Sequence, residues 1–244
     1  MKFAVITDIH GNSHALQAVL NDIDLQTDIH YIYCLGDMIA IGPDTNEVLE
    51  ILFSRDDVSM ITGNHDEAVI ALLNGEPYPD SHRHVIEHHQ WIANQLNPKY
   101  IEKLSTLPRI IKENIQGISI IYSHYYIDAS NINVPIHQDP FHSIVEPSLQ
   151  NMDSLFEPYD ADLICFGHHH PRHYFRGDKK TYLNPGSLGC QHDAIAPYAI
   201  VNIERNAFSI DIREVPYNKI DFLREFEKQN IPEKEFILKT FYGI

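Results

Sequence analysis

The segment Val58-Ser59-Met60-Ile61-Thr62-Gly63-Asn64-His65-Asp66 decides how the rest of the chain is read. Its first five residues are short, apolar and β-rich, which predicts a buried strand, and Gly63-Asn64 ends that strand in a tight turn. Asn64 and His65 therefore leave the strand end side by side. An amide oxygen can bind a hard cation while a neighbouring imidazole, which titrates near neutrality, moves a proton. Alone, an Asn-His-Asp triplet is usually a polar loop, so its meaning depends on what the other strand ends carry.

The pattern recurs. Phe3 to Thr7 reads as a strand ending in Asp8-Ile9-His10-Gly11-Asn12, followed by a helix over 13 to 24 with Ala15, Leu16, Val19, Leu20 and Ile23 on one face. Tyr31 to Leu35 is a second strand, ending in Gly36-Asp37, and 43 to 53 a second helix. Further on, Ile118 to Tyr122 ends in Ser123-His124, Leu163 to Phe166 ends in Gly167-His168-His169-His170, and Thr181 to Leu183 leads into Asn184-Pro185-Gly186-Ser187. Parallel α/β sheets bind ligands outside the carboxyl ends of their strands, so these polar turns predict one crevice. Tyr198 to Ile203 and Phe208 to Val215 alternate as an antiparallel hairpin, and two closing helices are expected over 220–226 and 236–241.

Between these landmarks the chain is less regular. A short helical run over 71–73 precedes a loop over 74–80, and 82–97 reads as a helix with His82, His84, His88 and His89 on a solvated face. His84 and His88 have the i,i+4 spacing of a zinc pair, but no Cys or carboxylate set completes it. Helices are expected over 99–107 and 145–156, with 125–144 a loop beside the crevice and, like 74–90, a place for substrate selection.

Length and composition set bounds. The 244 residues fit one α/β domain without a linker, and 43% hydrophobic residues supply a core without any run of about 18 apolar residues. No signal-like segment opens the chain, so a soluble, cytoplasmic protein is expected, with no membrane partner. Cys34, Cys165 and Cys190 lack CxxC spacing and read as buried free thiols. A formal charge of −16 argues against an extended nucleic-acid surface. A small phosphorylated substrate would need a local positive charge, which metal ions could provide.

Taken together, Asp8-x-His10, Gly36-Asp37, Gly63-Asn64-His65-Asp66, His124 and Gly167-His168-x-His170 resemble the calcineurin-like metallophosphoesterase superfamily, and Asn184-Pro185-Gly186-Ser187 resembles a turn of its bacterial small-phosphodiesterase branch. The resemblance implies the metallo-dependent phosphatase fold, an α/β four-layer αββα sandwich with two mixed β-sheets. It further implies that Asp8, His10, Asp37 and His170 hold one divalent metal ion and that Asp37, Asn64, His124 and His168 hold the other, with Asp37 bridging. His169 stands where Thr is common and is not assigned to metal. Mixed carboxylate, amide and imidazole donors favour Mn, Fe or Zn over Mg. Two ions carry +4 against −2 from the carboxylates, which offsets a substrate phosphate at contact distance despite the acidic surface.

The chemistry so implied is in-line attack by a hydroxide bridging the two metals, with His65 as general acid and Asp66 orienting it; Asn64 and His65 would also touch substrate. The leading reading is a phosphodiesterase. A dinucleoside polyphosphate hydrolase or protein serine/threonine phosphatase would use the same metals but call for phosphate-clamping arginines, and Arg172 and Arg176 read better as surface residues. A binding module without catalysis, as in a retromer coat subunit of this fold, is the third reading, disfavoured by the intact ligand set. The sequence implies no particular oligomeric state.

Overall fold

Alternation along the strands sorts the chain into layers. In the computed structural model, which describes residues 1–244, the strands in chain order are β1 (Lys2–Ile6), β2 (Ile29–Cys34), β3 (Val58–Met60), β4 (Ile110–Ile115), β5 (Ile118–Ser123), β6 (Leu163–Cys165), β7 (His173–Arg176), β8 (Thr181–Asn184), β9 (Ile195–Glu204) and β10 (Ala207–Pro216). The helices are α1 (Ser13–Asp24), α2 (Thr45–Phe53), α3 (Asn64–Asn74), α4 (Ile86–Gln95), α5 (Ile101–Ser105), α6 (Leu149–Leu155), α7 (Lys219–Lys228) and α8 (Lys234–Tyr242). One sheet has the order β10-β9-β1-β2-β3 and the other β4-β5-β6-β8-β7. Both are mixed: β1, β2 and β3 run parallel, as do β5, β6 and β8, while the flanking strands are antiparallel.

Phe3, Val5, Ala199 and Val201 of the first sheet meet Ile120, Tyr122, Leu163, Cys165 and Leu183 of the second in one fully apolar layer. The alternate residues Ala4, Ile6, Tyr198 and Ile200 face the helical cover that includes α1, α2, α7 and α8, whereas Ile121, Ile164 and Tyr182 face α6. This is the expected αββα sandwich. Tyr33 lies flat on Tyr122 across the sheet interface, centroids 3.9 Å apart and planes 8° from parallel, with Phe3 edge-on to both. Cys34, Cys165 and Cys190 are buried free thiols, as read. No helix is long and apolar enough to cross a membrane.

Several expectations need correction. β3 is half-buried and not fully buried, because it is the edge of its sheet, and it stops at Met60. Gly63-Asn64-His65-Asp66 is not a separate turn but the start of α3, with the Asp66 carboxylate accepting from the Gly63 N–H at 3.0 Å. Strands β4 and β7 come from stretches without a strand reading. The expected 82–97 helix begins as a short 3-10 segment, Asp80–Val85, before α4, and α4 is no solvated face for its histidines: His88 is 2% and His89 0% exposed.

Candidate metal centre

Each candidate ligand sits where a parallel strand ends or a helix begins. Asp8 and His10 follow β1, Asp37 follows β2, Asn64 and His65 open α3, His124 follows β5, and His168 and His170 follow β6. Asp8, His10, Asp37 and His168 all have positive φ, 52°, 48°, 50° and 66°. Such φ values are uncommon for residues other than glycine, so the chain spends local strain to turn these side chains into one volume. Close packing holds them: a Cβ on Gly167 would lie 2.0 Å from Thr7 Oγ1 and 2.6 Å from Asp8 Oδ2.

The donor atoms converge. His10 Nε2 is 3.1 Å from His170 Nε2, 3.7 Å from Asp8 Oδ1 and 3.9 Å from Asp37 Oδ2. On the other side of Asp37, Oδ2 lies 3.1 Å from His124 Nε2, and the Asn64 amide oxygen lies 2.9 Å from His124 Nε2 and 2.7 Å from His168 Nδ1. Second contacts aim these rings. His124 and His10 donate Nδ1–H to the Leu35 and Ile39 carbonyls at 2.7 and 3.2 Å, which turns Nε2 of each ring into the cluster. Asn184 clasps the histidine loop by donating to the His169 carbonyl at 2.6 Å, and Ser187 donates to the Asp8 carbonyl at 2.8 Å.

Asp8 gives the test of fit. Its Oδ2 accepts from Thr7 Oγ and from the His168 N–H, but its buried Oδ1 has no hydrogen-bond partner. An unpartnered carboxylate oxygen away from water is costly unless a cation meets it. Burial raises the Asp8 pKa; for Asp37, His124 and His65 outweigh burial and hold the carboxyl well below its usual range. Burial pushes His10 and His170 down to about 4 and His168 to about 3, so these rings are neutral donors at pH 7. Burial opposes charge on His124 as well, yet the neighbouring Asp37 carboxylate carries it up to about 9. Imidazole nitrogens converging on Asp37 and an orphaned carboxylate oxygen are what divalent cations resolve, a bound cation taking the place of the His124 proton, so the residues fit two ions.

Carboxylate, amide and imidazole donors thus form two adjoining groups that share Asp37, and a family profile described as the calcineurin-like phosphoesterase superfamily domain matches residues 1–206. The chain belongs to that superfamily. This calcineurin-like phosphoesterase is a phosphoric ester hydrolase. It is 31% identical over 239 residues to an uncharacterised protein of Methanocaldococcus jannaschii, covering 94% of this chain and 93% of that one. A metallophosphoesterase structure from Sphaerobacter thermophilus superposes with a TM-score of 0.74 at 21% identity, covering all of both chains, which shows the fold. The symmetrical bis(5'-nucleosyl)-tetraphosphatase of Erwinia tasmaniensis is 34% identical over only 76 residues, 31% of this phosphoesterase and 28% of that protein.

Two placements differ from the sequence reading. Asp66 does not touch the His65 ring: its Oδ1 accepts from the Met38 and Ile39 amides at 3.0 and 3.2 Å, so it braces the loop after Asp37. The His65 ring instead meets His89 of α4, Nδ1 to Nε2, at 2.9 Å. Asn64 is similarly held from outside the motif, its amide nitrogen 2.8 Å from His82 Nε2. Cys190, a buried free thiol as expected, also lies within metal-ligand reach of His10 and His170. His169 turns away to His173 at 2.9 Å, and Arg172 pairs with Glu214 at the surface.

A cavity of about 470 Å³ opens beside the cluster. Asp37, Asn64, His65, His168 and His170 form one wall, and Phe141, Ile144, Phe236 and Phe241 form an apolar one. Neither lysine nor arginine lines it.

Proposed function

We propose that this chain is a phosphodiesterase for a small ester that places one phosphate at the metal pair and an apolar or planar group against Phe141, Phe236 and Phe241. The observation that carries this reading is the cavity without a single guanidinium or ammonium group. A polyphosphate chain presents several charges beyond those two ions can meet, and proteins that hold such chains place arginine or lysine along them. A single diester needs none, and an apolar wall suits the non-phosphate part of a ligand. Dinucleoside polyphosphate hydrolysis remains the second reading, favoured by the match to the symmetrical tetraphosphatase.

In this reading Asp8, His10, Asp37 and His170 would hold one ion and Asp37, Asn64, His124 and His168 the other, with Mn²⁺ as the proposed ion and Fe or Zn²⁺ also compatible with the donor set. Bound there, two divalent ions supply an activated water-derived nucleophile near neutral pH and positive charge for the phosphate oxygens. The chain's own residues do the rest. His65 lines the cavity with its Nε2 free to take up a proton from solvent, and the imidazolium so formed would give that proton to the departing oxygen as the phosphorus–oxygen bond breaks and that oxygen takes the electron pair. Asp66 keeps Gly63 and the loop after Asp37 in register, so that the His65 N–H reaches Asp37 Oδ1 at 2.8 Å.

The test is hydrolysis of bis-p-nitrophenyl phosphate, p-nitrophenyl phosphate and diadenosine tetraphosphate by metal-stripped protein with Mn²⁺ restored. The diester should be cleaved with the highest kcat/KM. Preference for diadenosine tetraphosphate would move the assignment to the second reading.

A further inference from the structure

Outside the motif residues, the side chain that hydrogen-bonds the ring of the proton-transfer group is on α4, while His82 stands edge-on to that ring with centroids 5.0 Å apart. His89 is fully buried, and it stands between the His65 ring and Tyr78 of the loop over 75–79. The hydrogen-bond roles along this row follow from its far end. The Tyr78 hydroxyl donates to the backbone carbonyl of His82 at 3.2 Å, and a carbonyl can only accept. The hydroxyl oxygen then accepts from His89 Nδ1–H at 2.8 Å. A neutral His89 with its proton on Nδ1 has a lone pair on Nε2, so it accepts from His65 Nδ1–H at 2.9 Å. His65 is left with Nε2 as its one nitrogen for the cavity.

We propose that His89 is the positioning residue of the proposed general acid, holding His65 through the row Tyr78–His89–His65 so that Nε2 faces the substrate. This rests on the assignment of proton donation to His65. In many acid–base sites a carboxylate holds the outer nitrogen of the histidine. Here Asp66, the carboxylate next in sequence, is committed to backbone amides, and a neutral imidazole takes the outer position. The difference has a chemical consequence. A neutral acceptor orients the ring without adding a negative charge and leaves Nε2 as the one nitrogen that takes up a proton from the cavity's solvent, so the ring donates as an imidazolium and returns to its neutral Nδ1–H form.

The role predicts a selective defect. Proton donation matters most when the departing oxygen is a poor leaving group, and it contributes roughly 10²–10⁴ in rate where it matters. For Mn²⁺-loaded protein, His89→Ala is expected to lower kcat on diphenyl phosphate by roughly 10- to 100-fold and on bis-p-nitrophenyl phosphate, whose phenol leaves readily, far less. His89→Gln, whose amide oxygen can accept from His65 Nδ1–H, should recover much of the loss. Equal losses on both substrates would overturn the proposal, because a merely structural defect lowers both.

A second readout does not use activity. Long-range proton–nitrogen NMR of the metal-free protein should show neutral His65 and His89 each protonated on Nδ1, with the fixed Nδ1–H preference of His65 lost in the Ala variant. A neutral wild-type His65 protonated on Nε2 alone would overturn the proposal even if the enzyme is active. If the Ala variant does not fold, Tyr78→Phe removes the acceptor that sets the His89 tautomer and should give the same leaving-group-selective loss at smaller amplitude; an unselective loss there counts against the proposal. Absence of ester hydrolysis by the wild type, with the NMR pattern intact, would fault the assignment of His65 and not the row itself.

Discussion

Gly63→Ala is expected to disable the centre without replacing any ligand. Gly63 has extended backbone, φ −108° and ψ 175°, which alanine adopts freely, so the effect isolates the added methyl group. That Cβ would lie 2.2 Å from Asp37 Oδ1, 2.3 Å from the Asp37 nitrogen and 2.7 Å from Asp37 Cγ. Ordinary contact begins near 3.4 Å, so Asp37 must retreat by 3.4 − 2.2 = 1.2 Å. It has nowhere to go. The same Oδ1 accepts from the His65 N–H at 2.8 Å, Oδ2 meets His124 at 3.1 Å, and the backbone is held at φ 50°. Overpacking of this kind costs about 1–3 kcal/mol in stability, and a 1 Å misplacement of a reacting group can cost roughly 10²-fold in rate. Dialysis against Mn²⁺ followed by metal analysis should find less than the wild-type content, with kcat on bis-p-nitrophenyl phosphate down by about 10²-fold or more. Full metal content with wild-type turnover would refute the argument that Gly63 exists to let Asp37 sit where both groups of donors can share it.

Other perturbations separate core, support and acid sensitivity. Leu163→Ala, in the layer between the sheets at 0% exposure, should lower urea stability by about 2–5 kcal/mol while leaving kcat of the folded fraction unchanged; a loss below 1 kcal/mol would contradict the packing. His82→Phe frees the Asn64 amide, now held through a row that continues from His82 Nδ1 to Ser81 at 2.7 Å and on to Asp139, so Mn²⁺ affinity should fall by roughly 10-fold, read by titration. Burial pushes His88 down to about 4 from 6.5. A depressed histidine lends stability that is present above pH 6.5 and lost as pH falls towards 4, so metal-free protein should lose about 2 kcal/mol from this group between pH 7.5 and 5. His88→Phe, which keeps the stack on Trp91 at 5.8 Å, should flatten that part of the profile, and an unchanged slope in urea titrations at the two pH values would show that His88 is not its source.

Much of the site was legible because strand ends leave a local signature. Asp8, His10, Asp37, Asn64, His124, His168 and His170 each follow a short apolar run and each arrive at the cluster. What the sequence could not show depends on packing between distant elements. Asp66 stands next to His65, but both lie in the first turn of α3, where neighbouring residues point in different directions, so adjacency in sequence is not contact in space. His88 and His89 have the composition of a solvated face, and only the position of α4 beside the cavity buries them. β4 escaped because Lys112-Glu113-Asn114 interrupts its apolar pattern at the edge of a sheet, where such residues are tolerated. Its hairpin partner β5 lies deeper, and its nearly continuous apolar run is readable as a strand.

The most direct measurement is the number of Mn²⁺ ions that metal-stripped protein takes up in a calorimetric titration, followed in parallel by bis-p-nitrophenyl phosphate hydrolysis. The proposed pair of sites sharing Asp37 predicts two equivalents per chain and activity that appears as the second is filled. Saturation at one equivalent, or hydrolysis that proceeds unchanged without metal, would contradict it.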